Sequence, residues 1–471
     1  MSNRPQFFPA ILWSLLVCAG AAQASDSQSQ NLDRQFQSAV AQYDAGRLPE
    51  AAAQLEALVS RVPNSFDVQE LLGLVYAAES QDSKAIEHLE AAVRLRPNSP
   101  AARTNLAVSL TRTGKSTLAG EQLRKALALE PHNFDANHNL GEFYIQSGRI
   151  ADACPLLEQA QRIHPSSYEN GYDLAMAYLL TGRLAQARQL VQSLLRQKGT
   201  GELHDLLGQI EEKDGKFVAA VNEFESAAQM DPSEENLFDW ASELLIHRTY
   251  DPAIDVFEQA TRRYPNSPRL MIGLGMALYS RGKYDEAIQS LLAAAALDPS
   301  DPRCYLFLSK AFDSSPNHAD DVIQAFRRFS ELQPGNARAV YYYAMILWKG
   351  KSAEAGGVDL GEVESLLQRA AALDQTFPDA HVQLGNLYSD QHQYARSISE
   401  YAHALELNPN LPDAHYRLGQ DYVHIGQKDR AQAEFAVYQR LRAQHLAEVD
   451  KEGAEVQQFV YSAKSAPSTK P

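Results

Sequence analysis

Prolines recur along this 471-residue chain at an interval of 34 residues. The regular series is Pro63, Pro97, Pro131 and Pro165, and later members are Pro232, Pro265, Pro299, Pro334 and Pro409. Two decapeptides, DAHVQLGNLY from Asp379 and DAHYRLGQDY from Asp413, also start 34 residues apart and share six letters. Such a period predicts copies of one small unit, and the copies must stack because none can bury its apolar face alone.

Each repeat has the pattern of two amphipathic helices joined by a short turn. Between Ser267 and Asp301, the first helix is predicted to run to about Tyr279, and YDEAIQSLLAAAAL to form the second. Gly282 lies in the turn, where glycine accepts the left-handed conformation. Pro299 prevents the second helix from continuing. Strand signals are almost absent, so the sequence predicts an all-α protein.

Two positions in each repeat hold mostly small residues when the turn proline is numbered 32. Position 8 is small in all twelve repeats: Ala39, Gly73, Ala107, Gly141, Ala175, Gly208, Ala241, Gly275, Ser309, Ala344, Gly385 and Gly419. Position 20 is Ala51, Ala85, Ala119, Ala153, Ala187, Ala220, Ala253, Ala287 and Ala431 in nine repeats, and Val322, Val363 and Ser397 in the others. Small side chains here let the two helices of a repeat cross closely.

This combination of small residues and turn prolines resembles the tetratricopeptide repeat. The resemblance implies an all-α, right-handed superhelical solenoid of antiparallel helix pairs, with about twelve repeats at 32–448. We expect a short segment at 25–31 before the solenoid and a largely disordered tail at 449–471. The repeat pattern is irregular at three junctions, near 197–201, 313–321 and 350–361.

The first 24 residues predict a signal peptide. Arg4 precedes the apolar run FFPAILWSLLVCAGAA, and AQA at 22–24 matches the small-x-small pattern of a signal peptidase site. The run is short and interrupted by proline, which disfavours a membrane span. We therefore expect a mature chain that starts at Ser25, has no membrane span, and is exported to the periplasm or the cell exterior. The alternatives are lipidation of Cys18, although Val17 departs from the lipobox, and an uncleaved anchor.

The formal net charge of −16 disfavours nucleic acid as a partner, because phosphate binding depends on Lys and Arg. The charge is better suited to a basic partner or to solubility alone. Cys154 and Cys304 are separated by several repeats, too far for a disulfide in a stacked array, and are predicted to be buried, unpaired thiols.

The sequence carries none of the common catalytic or cofactor-binding motifs. The chain has no Gly-rich phosphate loop, HExxH, CxxC or GxSxG motif. His381 and His415 occupy equivalent positions in successive repeats, but no cluster supplies three converging metal ligands. Polar side chains on a helix surface are the favoured interpretation. We expect a protein that is not an enzyme and has neither cofactor nor metal.

The family resemblance also implies that positions 2, 5, 6 and 9 of each first helix line a concave groove. Position 6 resembles the asparagine ladder that holds peptide backbones in the sugar-transferase superhelix, although Leu206 interrupts it. The candidate peptide-binding residues are Thr104, Asn105, His138, Asn139, Glu142, Tyr172, Asp173, Asp205 and Asp239. Amides can satisfy an extended backbone, and the carboxylates would favour Lys or Arg in the ligand. The alternative is that these side chains are merely solvated.

The C-terminal half suggests a second, more aromatic contact region, formed by Tyr341, Tyr342, Asn386, Tyr416, Arg417 and Gln420. Two classes of function remain open. The first is an exported scaffold that binds extended, basic or neutral segments of unidentified proteins in its groove. The second is a structural subunit of a cell-envelope machine for secretion, pilus assembly or polysaccharide export, which rests on the family resemblance alone.

Overall fold

The computed structural model describes residues 23–352 and 359–445, and these ranges hold 24 α-helices and no strand. The helices are α1 (Gln23–Asp44), α2 (Leu48–Arg61), α3 (Phe66–Ala78), α4 (Asp82–Leu95), α5 (Pro100–Arg112), α6 (Ser116–Leu129), α7 (Phe134–Gln146), α8 (Ile150–Ile163), α9 (Tyr168–Leu180), α10 (Leu184–Gln197), α11 (Gly201–Lys213), α12 (Phe217–Met230), α13 (Glu234–Ile246), α14 (Tyr250–Arg263), α15 (Pro268–Arg281), α16 (Tyr284–Leu297), α17 (Pro302–Ser314), α18 (Ala319–Leu332), α19 (Ala337–Ser352), α20 (Leu360–Leu373), α21 (Pro378–Asp390), α22 (Tyr394–Leu407), α23 (Pro412–His424) and α24 (Lys428–His445).

The chain divides into two compact units, Met1–Gly199 and Thr200–Pro471. Among the described residues, the first unit contains five helix pairs, α1–α10, and the second contains seven, α11–α24. Within each unit, the two helices of a repeat pack against each other, and the second helix packs against the first helix of the next repeat. The predicted all-α fold of paired helices and the predicted number of about twelve repeats are confirmed.

The small residues at position 8 are required by the packing within each repeat. A Cβ atom added at Gly73 would lie 2.5 Å from Leu89 Cγ, and one at Gly141 would lie 2.6 Å from Leu157 Cδ2. Position 20 is equally confined, since its twelve residues are at most 2% exposed, the value for Ala431. The predicted close crossing of the two helices is therefore confirmed in both units.

A left-handed residue ends the first helix of most repeats. Gly282 has φ of 85°, as the sequence predicted. The same turn position holds glycine with positive φ at Gly46, Gly114, Gly148, Gly182, Gly215 and Gly426. It holds residues with a side chain, also at positive φ, at Ser80, Arg248 and His392. Residues with a side chain rarely adopt this conformation without strain. The packing of the two helices therefore imposes the turn geometry even where the residue itself disfavours it.

The turn proline has a second role that its spacing does not reveal. In five repeats the side chain at position 4 lies next to the carbonyl oxygen of the proline six residues earlier. The contacts are Gln69 Nε2 to Pro63 at 2.8 Å, Arg103 Nε to Pro97 at 2.9 Å, Asn137 Nδ2 to Pro131 at 2.9 Å, Tyr305 Oη to Pro299 at 3.1 Å and His415 Nε2 to Pro409 at 3.0 Å. The second helix of one repeat is thus tied to the first helix of the next.

The irregular junctions are short segments between consecutive helices. Helix α10 ends at Gln197 and α11 begins at Gly201, with the Thr200 hydroxyl accepting from the Leu203 amide. Helix α17 ends at Ser314, and α18 follows His318, whose φ is 63°. Residues 353–358 of the third junction are outside the described ranges.

The predicted signal peptide and C-terminal tail fall almost entirely outside the described residues. The segment 25–31, expected to precede the solenoid, lies in α1. In the ranges that the structure describes, none of the helices combines the length and the apolar character that crossing a membrane requires. Cys154 and Cys304 are buried, free thiols, and burial raises the pKa of Cys304 above its usual range.

Candidate peptide-binding surface

Seven of the nine candidate residues lie on three successive first helices of the first unit. Helix α5 carries Thr104 and Asn105, α7 carries His138, Asn139 and Glu142, and α9 carries Tyr172 and Asp173. Helix α3 precedes them, and each of these first helices contacts the next. We call the side chains at positions 5 and 6 of α3, α5, α7 and α9 the first-helix row.

His138 shows how neighbouring repeats meet along this row. Its Nδ1 lies 3.2 Å from Asn170 Oδ1 and 3.9 Å from Asp173 Oδ2, and both partners belong to α9. The imidazole also stacks on Phe134, with ring centroids 5.5 Å apart. The side chains of His138 and Asp173 remain 17% and 28% exposed. A position-5 residue of one repeat therefore faces position 6 of the next while both stay accessible to a ligand.

The same pairing occurs at the junction of α3 and α5. Asn105 faces the Glu70 carboxyl and favours its charged form. Burial, with a smaller contribution from Asp67, nevertheless raises the pKa of Glu70 to about 7. Glu70 was not among the candidate residues, although it occupies position 5 of its repeat, the position used to select Thr104 and His138.

Two of the candidates are packed between helices. Thr104 is 2% exposed and Asn139 is 9% exposed, and the Asn139 Nδ2 donates to the Asp135 carbonyl of its own helix at 2.7 Å. Glu142 is partly exposed and accepts from Gln146 Nε2 at 3.0 Å. The accessible members of the set in the first unit are therefore Asn105, His138, Glu142, Tyr172 and Asp173.

The remaining two candidates belong to the second unit. Asp205, on α11, is partly exposed and accepts from Gln209 Nε2 at 2.7 Å. Asp239, on α13, is buried, with 6% exposure. The structure thus groups the first-unit candidates on consecutive helices and assigns Asp205 and Asp239 to a separate compact unit.

The predicted aromatic region also lies in the second unit. Tyr341 on α19 is half-buried, and burial raises its pKa while Gln383 on α21 opposes that rise by a hydrogen bond. This contact again joins position 5 of one repeat to position 6 of the next. Asn386 accepts from the Tyr401 hydroxyl at 2.7 Å, and Tyr416 is 40% exposed. The region offers both ring surface and amides, but most of each ring is already covered.

Two of the histidines pack within their own repeats. His381 Nδ1 lies 2.7 Å from Glu400 Oε2, and His415 Nδ1 lies 2.5 Å from Glu434 Oε2, in each case within one repeat. Their side chains are 14% and 10% exposed, so the interpretation as surface residues was wrong for this pair. The described residues contain no group of three or more His, Cys, Asp or Glu arranged to hold a metal ion.

Helix pairs stacked in series, with a polar row on the first helices, define a helical-repeat scaffold for protein–protein interaction. The chain belongs to the tetratricopeptide repeat family. Profiles of that repeat match residues 36–100, 104–168, 147–210, 238–302 and 385–426, which together span more than half of the chain.

Two curated relatives match parts of the chain. The TPR repeat-containing protein YpiA of Bacillus subtilis is 27% identical over 195 residues, which cover 41% of this chain and 44% of the relative. The cytochrome c-type biogenesis protein CycH of Rhizobium meliloti is 32% identical over 94 residues, 19% of this chain and 24% of the relative. The chain spans less than half the length of either protein.

Solved structures of similar fold include yeast Tom70 and PilF of Pseudomonas aeruginosa. Tom70 is 16% identical with a TM-score of 0.34, covering 84% of this chain and 95% of that one. PilF is 25% identical with a TM-score of 0.38, covering 43% of this chain and 93% of that one. Scores this low support no inference about partners.

Proposed function

We propose that this protein is an exported, non-catalytic scaffold that binds extended segments of partner proteins along the first-helix row. The observation that carries the proposal is the accessible polar series in the first unit, with Asn105, His138, Tyr172 and Asp173 on three consecutive first helices. These groups can donate to and accept from a peptide backbone without reading its sequence. Helices hold them more rigidly than loops would, which lowers the cost of binding.

The carboxylates bias the choice of partner toward basic segments. Asp173 is 28% exposed beside His138, and Glu142 is partly exposed one turn beyond Asn139 on α7. Each exposed charge pair contributes roughly 0.2–1 kcal/mol, so affinity must come from several weak contacts along one strand. Binding should therefore weaken steadily as salt screens these contacts.

A peptide array tests the proposal. Purified mature protein is incubated with immobilised 12-residue peptides of varied charge, and bound protein is compared between the wild type and two variants. Asn105→Ala should weaken binding to peptides of every charge, because it removes a backbone contact. Asp173→Asn should weaken binding selectively for peptides rich in Lys and Arg.

The matched control is Glu121→Gln, which removes an exposed carboxylate from α6, a second helix of the same unit. It should leave the array pattern unchanged. If Asn105→Ala and Asp173→Asn bind every peptide as the wild type does, the row is a solvated surface and the proposal fails.

Export is part of the proposal and has its own readout. Protein recovered from outside the cytoplasm should have Ser25, or a neighbour, as its first residue. An intact Met1, or a lipid on Cys18, would contradict the cleaved signal peptide.

A second candidate function is a structural subunit of a cell-envelope machine for secretion, pilus assembly or polysaccharide export, and the similarity to CycH, a cytochrome c-type biogenesis protein, favours it. The two functions predict different purification behaviour. A scaffold should purify alone and bind peptides transiently. A subunit should co-purify with other components at fixed stoichiometry.

A further inference from the structure

A carboxyl group on α3 is left incompletely satisfied by the packing around it. The Oε1 atom of Glu70 is buried and has no hydrogen-bond partner among the described residues. A buried polar atom without a partner costs free energy, and native structures retain few of them. Its position at one end of the first-helix row, next to Asn105, suggests that a ligand supplies the missing contact.

The charges around Glu70 do not compensate for its burial. Asp67 on α3 disfavours the ionised carboxyl, whereas Arg96 and Asn105 favour it, and the balance leaves the pKa raised to about 7. Arg96 is also engaged elsewhere, since its guanidinium lies over the Phe66 ring at 3.7 Å and 3.9 Å from Asp67 Oδ1. Arg96 therefore offsets only part of the cost of burying the carboxyl in the free protein.

We propose that the Glu70 carboxylate binds a Lys or Arg side chain of the partner segment at the α3–α5 end of the first-helix row. The inference rests on the proposed function, because the same row would hold the backbone of that segment. A cationic side chain supplies the donor that Oε1 lacks and the charge that favours ionisation. Glu70 as a whole is only partly buried, so the residue is within reach of a ligand bound along the row.

The other position-5 residues of the row are less suited than Glu70 to bind a cationic side chain. His138 already faces Asn170 and Asp173 on the next helix. Thr104 is 2% exposed and carries no charge. Within the row, Glu70 therefore combines a negative charge with an unmatched acceptor atom.

Cation binding at this carboxyl is coupled to its proton. Near neutral pH the free carboxyl is partly protonated, and only the ionised form pairs with an ammonium or guanidinium group. Binding should therefore release a proton and strengthen as the pH rises from about 5.5 to about 7.5. The other titratable groups acting on Glu70 among the described residues are Asp67 and Arg96.

Calorimetry with a defined probe tests the inference on the full mature chain. The probe is a hexapeptide that alternates lysine with serine, capped at both ends, and titrations are run in two buffers of different ionisation enthalpy. Wild-type protein should release a fraction of a proton on binding near pH 7. Glu70→Gln should abolish that release and weaken the peptide about tenfold, the effect of losing one hydrogen bond to a charged group.

Two controls separate a local effect from general attraction to an acidic protein. Glu87→Gln removes an exposed carboxylate from α4 of the same repeat and should change neither affinity nor proton release. The second control changes the peptide and leaves the protein unaltered. A probe with acetylated lysines should bind wild-type protein weakly and without proton release.

Equal weakening by Glu70→Gln and Glu87→Gln would overturn the inference. If Asn105→Ala still weakened the same peptide, the proposed function would stand without its cation site. If no probe bound wild-type protein but the uncharged array peptides did, the inference alone would fall. Absence of binding to every peptide would overturn both.

Discussion

The two compact units share one type of repeat but differ sharply in charge. Residues of the first unit, Met1–Gly199, include 18 Lys and Arg against 19 Asp and Glu, whereas Thr200–Pro471 includes 25 against 40. Within the second unit, residues 201–260 alone hold 15 acidic and 3 basic residues. The fold depends on buried small and apolar positions, so the exposed positions can diverge. Charge therefore bears on recognition in each unit and not on the choice of fold.

The second unit also uses aromatic side chains to fill the space opposite the position-8 glycine. In the first unit Gly73 faces Leu89, and Gly141 faces Leu157. In the second unit Gly275 likewise faces a leucine, Leu291, but Gly208 faces Phe224, Gly385 faces Tyr401 and Gly419 faces Phe435, each of these three with a ring atom 2.5–2.7 Å from the added Cβ position. One backbone geometry thus accepts either an aliphatic or an aromatic side chain, provided that position 8 stays small.

The largest expected effect comes from truncating these side chains. Phe224→Ala should lower the free energy of unfolding by roughly 3–5 kcal/mol, and Leu157→Ala by about 2–3 kcal/mol, because the aromatic side chain leaves the larger cavity. Urea denaturation followed by circular dichroism measures both. Hydrogen exchange should accelerate mainly in α11–α13 for Phe224→Ala, since repeats contact only their neighbours.

The control for that comparison lies on the same helix as Phe224. Phe217 is 45% exposed, and Phe217→Ala should change stability by less than about 1 kcal/mol. A larger loss for Leu157→Ala than for Phe224→Ala would show that leucine and phenylalanine at this position do not differ in packing as their sizes suggest.

Sequence reasoning succeeded where each repeat could be considered alone. The small residues at positions 8 and 20 and the left-handed Gly282 all follow from contacts or conformations within one repeat. The 34-residue period then fixes how many copies are stacked. These features are local or periodic, so one amino-acid sequence is enough to find them.

The missed features all depend on a second residue whose identity varies between repeats. Glu70 was overlooked because its carboxyl matters only through its burial next to Asn105 on the following first helix. His415 was assigned to the surface because its contacts with Glu434 and Pro409 are invisible without coordinates. Asn139 was read as a ligand-binding amide, but its side chain bonds to its own helix. Side-chain direction, more than helix position, was the missing information.

The second prediction concerns the buried Glu70 carboxyl of the first unit, whose removal should have an intermediate effect on the free energy of unfolding. The pKa of Glu70 in the folded protein, about 7, is above its unfolded value. The folded state thus holds this proton more tightly, and the stabilisation is complete below about pH 4.5 and lost as the pH rises to 7. The stability advantage of Glu70→Gln over the wild type should therefore grow by about 1–2 kcal/mol as the pH rises from 5 to 8.

Urea denaturation at several pH values measures this change, with Glu87→Gln as the exposed control. That control should follow the wild-type pH dependence. If Glu70→Gln also follows it, the Glu70 carboxyl is solvated in the folded protein, and the first unit has no buried charge to set against the exposed acidity of the second.

The smallest effect concerns the left-handed turn, where substitution by glycine should stabilise the two units equally at high salt and unequally at low salt. Ser80 in the first unit and Arg248 in the second both have φ of 59° and are exposed. Glycine adopts this conformation without strain, so Ser80→Gly and Arg248→Gly should each stabilise the protein by about 0.5–1 kcal/mol.

Arg248 also differs from Ser80 in its charge, since residues 201–260 hold only 3 basic residues, including Arg248, against 15 acidic ones. Its removal adds repulsion that salt screens, because the residues concerned are largely at the surface. Urea denaturation should therefore give equal gains for the two variants at about 1 M salt, and a smaller gain for Arg248→Gly at low salt. A gain for Arg248→Gly that does not change with salt would mean that the acidity of the second unit has no effect on its stability.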